Sequence, residues 1–248
     1  MSDEELARHY RVVVQDHLST SPRHSRRPQD WTLRLKLYAH PFSSYSQKVL
    51  ISLYENGTPF EYRMLEDPVA QAEFAALWPI RKFPVLVDEG RTIVETTTII
   101  EFLQIHHPGP SRLIPEGDAG IEVRMLDRIF DNYVMIPMQK IVLDVRRPEA
   151  DRDAFGVKEA RGTLDTIYAW LDERLAGRTW GAGDAFTLAD CAAAPSLFYA
   201  DWAHPIPPAH GFLRSYRARL LAHPPVARAV DEARPFRKYF PLGAPERD

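Results

Sequence analysis

The spacing of hydrophobic residues after position 32 predicts strands and a helix in alternation. Leu33, Leu35 and Leu37 alternate with polar residues, which is the pattern of a half-buried strand. Apolar residues then recur at helical spacing over residues 44–56, and residues 60–65 again favour a strand. Two strands joined through a helix predict a parallel pair with a right-handed crossover.

The following segment continues this pattern and adds a hairpin. Residues 70–77 are weakly helical, and Val85-Leu86-Val87 predicts a buried strand. Asp88-Glu89-Gly90 supplies a hairpin turn into a further short strand, and residues 97–106 predict a helix. The predicted order is therefore β-α-β-α-β-β-α, which indicates a thioredoxin-like α/β domain over residues 33–112.

The rest of the chain is predicted to be helical. His107-Pro108-Gly109-Pro110 interrupts the α/β pattern, and an all-helical domain follows over residues 113–237. Residues 238–248 are assigned to a C-terminal tail. Residues 1–32 are assigned to an N-terminal extension, with a short helix over 3–18 before a polar linker. The predicted helices of the second domain cover residues 119–143, 154–176, 188–200, 210–222 and 224–234.

Composition narrows the classes of function. The 248 residues carry a net charge of −3, which gives no electrostatic reason to expect a nucleic-acid partner. No apolar run reaches the length of about 18 residues that marks a membrane span, and the N-terminus has no hydrophobic signal region. The single cysteine, Cys191, argues against a disulfide framework and indicates the reducing cytoplasm. No metal is expected, because the adjacent His106 and His107 do not share a helix face.

The loop after the first strand is suited to the start of a helix. Ser44 and Gln47 have the spacing of a capping box, with Ser44 as the N-cap. In that arrangement the hydroxyl of Ser43 stays unclaimed beside the positive end of the helix. A thiol placed there would gain a hydrogen bond to its ionised form and the field of the helix, and both lower a thiol pKa. The alternative is that Ser43 is itself the cap and has no further role.

The proline that opens the third strand is a second candidate feature. Pro84 stands where a missing N–H costs least, and a cis bond between Phe83 and Pro84 would fix a bend. The bend would free the backbone of Phe83 to pair with an extended, peptide-like ligand. Glu95-Thr96 then opens a helix, whose free N–H groups suit a carboxylate while the Glu95 side chain suits an ammonium group. Capping by Glu95, Thr96 or Thr97 is the alternative.

Two further groups of residues in the helical region invite a structural interpretation. Thr187 and Asp190 form another capping box, with Phe186 and Cys191 as its hydrophobic staple. Cys191 is accordingly interpreted as a buried apolar residue and not as a nucleophile. Six residues at helical spacing either line an apolar cleft or belong to the core: Tyr133, Met135, Met138, Phe198, Tyr199 and Trp202.

Taken in their order along the chain, these motifs resemble the glutathione transferase family. The resemblance covers about residues 33–237, and the first loop is similar to that of the serine-type classes (theta, zeta and tau). The matching segments are Leu37-Tyr38-x-x-Pro41-x-Ser43-x-x-Ser46-x-Lys48-Val49, Phe83-Pro84-Val85-Leu86-Val87-Asp88, Glu95-Thr96 and Phe186-Thr187-Leu188-Ala189-Asp190-Cys191.

The resemblance implies a thioredoxin-like domain that binds glutathione and a helical C-terminal domain. Ser43 matches the family position that hydrogen-bonds the glutathione thiolate, which makes it the implied catalytic residue. Phe83 matches the residue before the cis-proline, here Pro84, whose backbone pairs with the cysteinyl part of glutathione. Glu95 and Thr96 match the pair that holds the γ-glutamyl end.

Other features of the resemblance are less regular. Lys82 lies where the family often contacts the glycyl carboxylate of glutathione. Phe83 replaces a more usual small aliphatic residue, and Thr96 replaces a more usual serine. Because Ser43 and Ser44 are adjacent, either of them could face the thiol. Family members are usually two-fold dimers, so a homodimer is expected.

The function implied by the resemblance is a glutathione transferase, with glutathione as co-substrate and no metal. Such an enzyme conjugates the thiolate to a small apolar electrophile. The first alternative is a glutathione-dependent isomerase or dehalogenase, in which glutathione is recycled. The second is a non-catalytic module for protein contacts or regulation, as some family members are.

Overall fold

A mixed sheet of four strands forms the first half of the computed structural model, which describes residues 35–248. The strands lie in the order β2-β1-β3-β4, with β1 parallel to β2 and antiparallel to β3. The predicted parallel pair is therefore confirmed. The predictions for residues 1–32 and for Leu33 lie outside the described residues. The strands are β1 (Leu35–Ala39), β2 (Glu61–Met64), β3 (Val85–Asp88) and β4 (Arg91–Ile93).

Strands β3 and β4 form the predicted hairpin. Glu89 and Gly90 join the two strands, with φ angles of 48° and 85°. Positive φ at both central residues is the geometry that matches the right-handed twist of paired strands, and glycine adopts it without steric cost. Three helices complete this region: α1 (Ser44–Glu55), α2 (Pro68–Leu77) and α3 (Thr96–His106).

The second half of the described chain is helical. The predicted helix over 119–143 is confirmed as one helical run over 117–144, which is divided into α4, a π-helical segment of six residues (Phe130–Met135) and α5. A short 3-10 turn, Glu149–Asp151, precedes α6. The helices are α4 (Gly117–Ile129), α5 (Ile136–Asp144), α6 (Ala154–Leu175), α7 (Leu188–Ala203), α8 (Gly211–Ala222) and α9 (Pro224–Ala233).

Helix α7 is the centre of the fold. All 16 of its residues are buried, and it packs against α1, α4 and the π-helical segment. The predicted capping box is confirmed at its start, where Asp190 Oδ2 accepts from the N–H of Thr187 at 2.8 Å. Asp190 Oδ1 accepts further bonds from the N–H of Gly181 at 2.8 Å and the hydroxyl of Tyr216 at 2.6 Å. This carboxylate thus joins three separate segments of the helical region.

The end of the chain folds back onto α7. A 3-10 turn (Arg234–Tyr239) leads to Phe240, whose ring packs edge-on against Trp202 at 5.2 Å. The Asp248 carboxylate pairs with Arg234 at 2.6 Å and with Arg237, and Arg247 pairs with Asp201. The segment that the sequence assigns to a tail therefore contributes packing and ion pairs.

The architecture confirms the predicted fold class, a thioredoxin-like α/β region followed by an all-helical region. The boundaries at residues 32, 112 and 237 stay predictions. Within residues 35–248, no helix combines the length and the apolar character that a membrane crossing requires.

Candidate active site

The register of the sheet brings three predicted segments to the same end of the molecule. Tyr38 pairs with Val85 across the antiparallel β1 and β3, so Pro84 lies beside the end of β1. Ile93 pairs with Leu86, so the chain after β4 reaches the same end two residues later, at Glu95. The loop before α1, the start of β3 and the start of α3 therefore surround one end of the sheet.

Ser43 is the N-cap of α1, which corrects the prediction that Ser44 is the cap. The Ser43 hydroxyl accepts from the N–H of Ser46 at 3.3 Å, and Ser44 is the first helical residue and is buried. A hydroxyl carries one donor and two lone pairs, so capping leaves its O–H free. Among residues 35–248 no acceptor for that O–H is present. The hydroxyl that was expected to be unclaimed is thus engaged as an acceptor and available as a donor.

The loop in front of Ser43 is held from two sides. Gln47, which the sequence places in the capping box, instead donates from Nε2 to the carbonyl of Pro41 at 2.9 Å and to the hydroxyl of Tyr199 at 3.1 Å. Tyr199 donates in turn to the carbonyl of Phe42 at 3.0 Å. Burial raises the pKa of Tyr199 well above the ordinary value, so this phenol stays protonated and serves as a structural donor.

The backbone beside Pro84 has the form that the sequence suggests. The Phe83–Pro84 bond is cis, Pro84 is buried, and the Phe83 side chain is 37% exposed and edge-on to Phe74. Within the described part of the chain, the N–H and C=O of Phe83 form no hydrogen bond. They are therefore available to an extended ligand. Lys82 lies next to them and is exposed.

Glu95 holds an unusual backbone conformation at the start of α3. Its φ of 67° and ψ of 121° lie in a region that residues with a side chain rarely adopt, which costs on the order of 1–3 kcal/mol. The side chain is exposed and forms no capping bond, while Thr96 is buried as the first helical residue. The first-turn N–H groups of α3 thus remain available for a carboxylate.

A buried charge network lies behind these segments, and the sequence reasoning missed it. Lys48 on α1 is 1% exposed, and its Nζ lies 2.5 Å from Asp127 Oδ1 and 2.7 Å from Asp131 Oδ2. The hydroxyl of Thr97 donates to Asp127 Oδ2 at 2.7 Å, and Arg128 contacts both carboxylates. The network ties α1 and α3 to α4 and the π-helical segment. The signal in the sequence was a lysine on the apolar face of α1.

Tyr45 lies close to this network on the first turn of α1. Burial, and then the negative charge of Asp131, raise the pKa of Tyr45 to about 12. The phenol is therefore protonated throughout the neutral range. It can donate a hydrogen bond at that pH but cannot act as a base.

A cleft with a volume of about 270 Å³ opens beside Ser43. This volume is just below the range of about 300–1,000 Å³ that is usual for the binding sites of drug-sized ligands. The expectation for the six aromatic and apolar residues is met in part. Met138 and Tyr199 line this cleft and also belong to the core. Met135, Phe198 and Trp202 belong to the core alone, whereas Tyr133 is exposed. Its lining residues are Phe42, Ser43, Ser44, Met138, Gln139, Val142, Leu143, Arg146, Tyr199, Tyr239, Phe240 and Pro241.

Comparison with known protein families decides the family. The family model described as "Glutathione S-transferase, N-terminal domain" matches residues 37–111, and "Glutathione S-transferase, C-terminal domain" matches residues 150–231. The chain belongs to the glutathione transferase family.

The names of similar proteins in the family refer to different functions. A maleylpyruvate isomerase of a Ralstonia species is 27% identical over 86% of this chain and 99% of its own length. FtsZ-localized protein A of Caulobacter vibrioides is 29% identical over 69% of this chain and 79% of its own length. A glutathione transferase of Methylobacterium radiotolerans, solved in complex with glutathione sulfonate, has a TM-score of 0.69. It is 29% identical and covers 79% of this chain and 94% of its own.

Two other candidate residues have structural surroundings in this family member. Cys191 is fully buried, and burial raises the pKa of its thiol well above the ordinary value, which agrees with its interpretation as an apolar core residue. His107 pairs with Asp88 at 3.0 Å, which gives it a structural partner. Among the described residues, no group of three or more His, Cys, Asp or Glu side chains could hold a metal ion.

Proposed function

We propose that this family member is a glutathione-dependent transferase whose thiol is activated by Ser43. The observation that carries the proposal is the free O–H of Ser43 at the N-terminus of α1, beside a cleft large enough for a small electrophile. Glutathione would lie along the end of the sheet that the three predicted segments surround. The proposed binding residues are Ser43, Lys82, Phe83, Pro84, Glu95 and Thr96.

The proposed chemistry is the lowering of a thiol pKa followed by nucleophilic attack. The Ser43 O–H donates to the sulfur of glutathione, and the positive end of α1 adds its field, so both favour the thiolate. The thiolate attacks an electrophilic carbon and forms a C–S bond, and the leaving group departs with its electron pair. The backbone of Phe83 and the N-terminus of α3 hold the peptide so that the sulfur faces the cleft.

The test replaces Ser43 by alanine and by threonine. Ser43→Ala removes both the donor and the cap, whereas Ser43→Thr keeps both functions. We expect Ser43→Ala to shift the midpoint of the pH profile of kcat/KM upward while glutathione affinity stays nearly unchanged, and Ser43→Thr to restore the wild-type midpoint. An unchanged midpoint in Ser43→Ala would contradict the assignment.

A third variant separates the two adjacent serines. Ser44 also lines the cleft, as the first residue of α1. Ser44→Ala keeps the Ser43 cap and donor, and we expect its pH midpoint to equal that of the wild type. A shift in Ser44→Ala alone would assign the thiol contact to Ser44 instead.

A second candidate function is a glutathione-dependent isomerase, which the likeness to maleylpyruvate isomerase over nearly its whole length supports. In an isomerase glutathione is regenerated, whereas a transferase consumes it. Free thiol measured during turnover therefore separates the two reactions. A dehalogenase belongs to the same alternative and would release halide.

A third candidate is a non-catalytic binding module, which the likeness to FtsZ-localized protein A supports. A module has no need of a thiolate site. Thermal stabilisation by millimolar glutathione that is lost in Glu95→Ala supports the enzyme, and no stabilisation of the wild type favours the module. For either enzyme we propose the reducing cytoplasm as the compartment.

We also propose a homodimer, formed through an apolar stripe on α4 and the segments that follow it. Ile121, Met125 and Ile129 are spaced four residues apart, so they share a face of α4, and Ile121 is 65% exposed. A groove of about 630 Å³ continues from Ile129 between Tyr133 and Trp170. Exposed apolar surface of this extent is typical of a protein interface.

The solution mass tests the dimer. We expect the wild type to sediment as a dimer and Met125→Lys to sediment as a monomer, because a lysine would be buried without a partner. Phe155→Lys is the control, since Phe155 is 71% exposed on α6 but does not line the groove. A monomeric wild type, or an equal effect of the two variants, would contradict the stripe as the interface.

A further inference from the structure

The cleft beside Ser43 has an uneven distribution of charge. Among the described residues that line it, Arg146 is the single charged side chain, and no carboxylate is present. Arg146 is exposed and has no ion-pair partner within residues 35–248. Its neighbour Arg147, in contrast, lies 3.6 Å from Asp144 and does not line the cleft.

The position of Arg146 follows from the geometry of α5. Gln139, Val142 and Leu143 are spaced by three and four residues, which places them on one face of α5, and Arg146 lies two residues beyond its end. All four line the cleft, and the N–H of Arg146 donates to the carbonyl of Leu143 at 3.2 Å in the turn that follows α5. The guanidinium thus belongs to the polar end of a wall whose middle is apolar.

Part of the cleft lining is aromatic. Tyr199 and Phe240 have nearly parallel rings with centroids 6.3 Å apart, and Met138 adds a polarizable side chain beside them. A ligand in this cleft therefore meets apolar and aromatic side chains together with one positive charge. This combination suits a molecule with an apolar body and one anionic group.

We propose that Arg146 selects electrophiles that carry a carboxylate, so that the transferase substrate is amphipathic and not simply apolar. The inference rests on the proposed function of the same site. A thiolate repels an anionic substrate, and the guanidinium offsets that repulsion while it binds the carboxylate. The carboxylate itself does not react: the thiolate forms the C–S bond, and the leaving group departs with the electron pair of the bond that breaks.

The test compares chlorodinitrobenzoate with its methyl ester as electrophiles. Both release chloride on attack by glutathione and differ in one charge. We expect Arg146→Gln to lower the ratio of kcat/KM for the acid over the ester about tenfold, which corresponds to about 1.4 kcal/mol, mainly through the KM of the acid. Arg147→Gln removes the same charge one residue away and is expected to leave the ratio within about twofold of the wild type.

The opposing outcomes are distinct. Equal effects of the two variants on the ratio would assign Arg146 to the C-terminal end of α5, where any cation is favoured, and would overturn the inference. If neither electrophile is turned over, the proposed function fails, and binding then tests the inference alone. Calorimetry with dinitrobenzoate and its methyl ester would show tighter binding of the acid in the wild type and not in Arg146→Gln. Equal binding of acid and ester would also overturn it.

Discussion

Lys48 brings a full positive charge into the protein interior at the point where the α/β and helical regions meet. It is 1% exposed, and the carboxylates of Asp127 and Asp131 lie within 2.7 Å of its Nζ. A buried ion pair adds little net stability over apolar packing, but removal of one partner leaves a charge without compensation. The role of Lys48 is therefore to neutralise two buried carboxylates.

Lys48→Met should lower the free energy of unfolding by about 3–5 kcal/mol at neutral pH. The loss should shrink as the pH falls, because burial raises the pKa of Asp131 and protonation of this carboxylate removes the unpaired charge. Urea denaturation at several pH values measures both effects. The control is Lys140→Met, which breaks a half-exposed pair with Asp153 at 3.4 Å and should cost less than about 1 kcal/mol. Equal losses in the two variants would contradict the argument.

At the scale of elements, two carboxylates at helix starts differ in their surroundings. Asp190, at the third position of α7, is fully buried and accepts four hydrogen bonds, from Gly181, Tyr216 and both donors of Thr187. Asp153 begins α6 near the surface and caps the N–H of Gly156 at 2.8 Å. The Asp190 carboxylate joins segments that are distant in sequence, whereas the Asp153 carboxylate bonds to a residue three positions further along the chain.

We expect Asp153→Ala to cost about 1 kcal/mol, the usual value for the loss of a helix cap. Asp190→Ala should cost at least about 3 kcal/mol, because several buried donors lose their acceptor at once. Thermal and urea unfolding of the two variants give the comparison. Similar costs would mean that Asp190 acts as a local cap alone.

A helix or strand could be predicted when the residues that determine it lie within that element. Helices α6 to α9 follow the predicted ranges closely, because apolar spacing and caps lie within each helix. The π-helical segment Phe130–Met135 was missed, because one extra residue in a helical turn leaves the hydrophobic pattern almost unchanged. The N-cap of α1 was misplaced by one residue, because Ser43 and Ser44 have the same intrinsic capping preference.

The candidate site could be predicted where its residues leave a local mark on the sequence. Ser43, Phe83 with Pro84, and Glu95 were singled out because helix starts and proline positions can be recognised from adjacent residues. Arg146 and the partners of Lys48 were not found. Their roles arise from contacts between helices that are distant in sequence, and such contacts depend on tertiary packing.

On the scale of the whole molecule, buried tyrosines set a limit on alkaline stability. Burial is the largest cause that raises the pKa of each phenol above the ordinary value of 10. The folded state then holds protons that the unfolded state has lost, so stability is complete below pH 10 and falls as the pH rises further. These residues are Tyr38, Tyr45, Tyr54, Tyr168, Tyr199 and Tyr216.

We expect a pH titration to show the phenolate absorbance of these six of the ten tyrosines rising together with the loss of far-ultraviolet circular dichroism, in one cooperative step above pH 10. The two signals coincide because these phenols ionise on unfolding. A rise in absorbance that corresponds to more than four tyrosines, without a change in circular dichroism, would show that some of the six titrate in the folded protein.

The burial of Cys191 also has a practical consequence for experiments on this protein. It is the single cysteine in the chain, it is fully buried, and its thiol is held in the protonated form. Thiolates, not thiols, react with alkylating reagents. A cysteine placed at an exposed position, for example Phe155→Cys, would accept a fluorophore or spin label at one known site, without prior mutation of the native thiol.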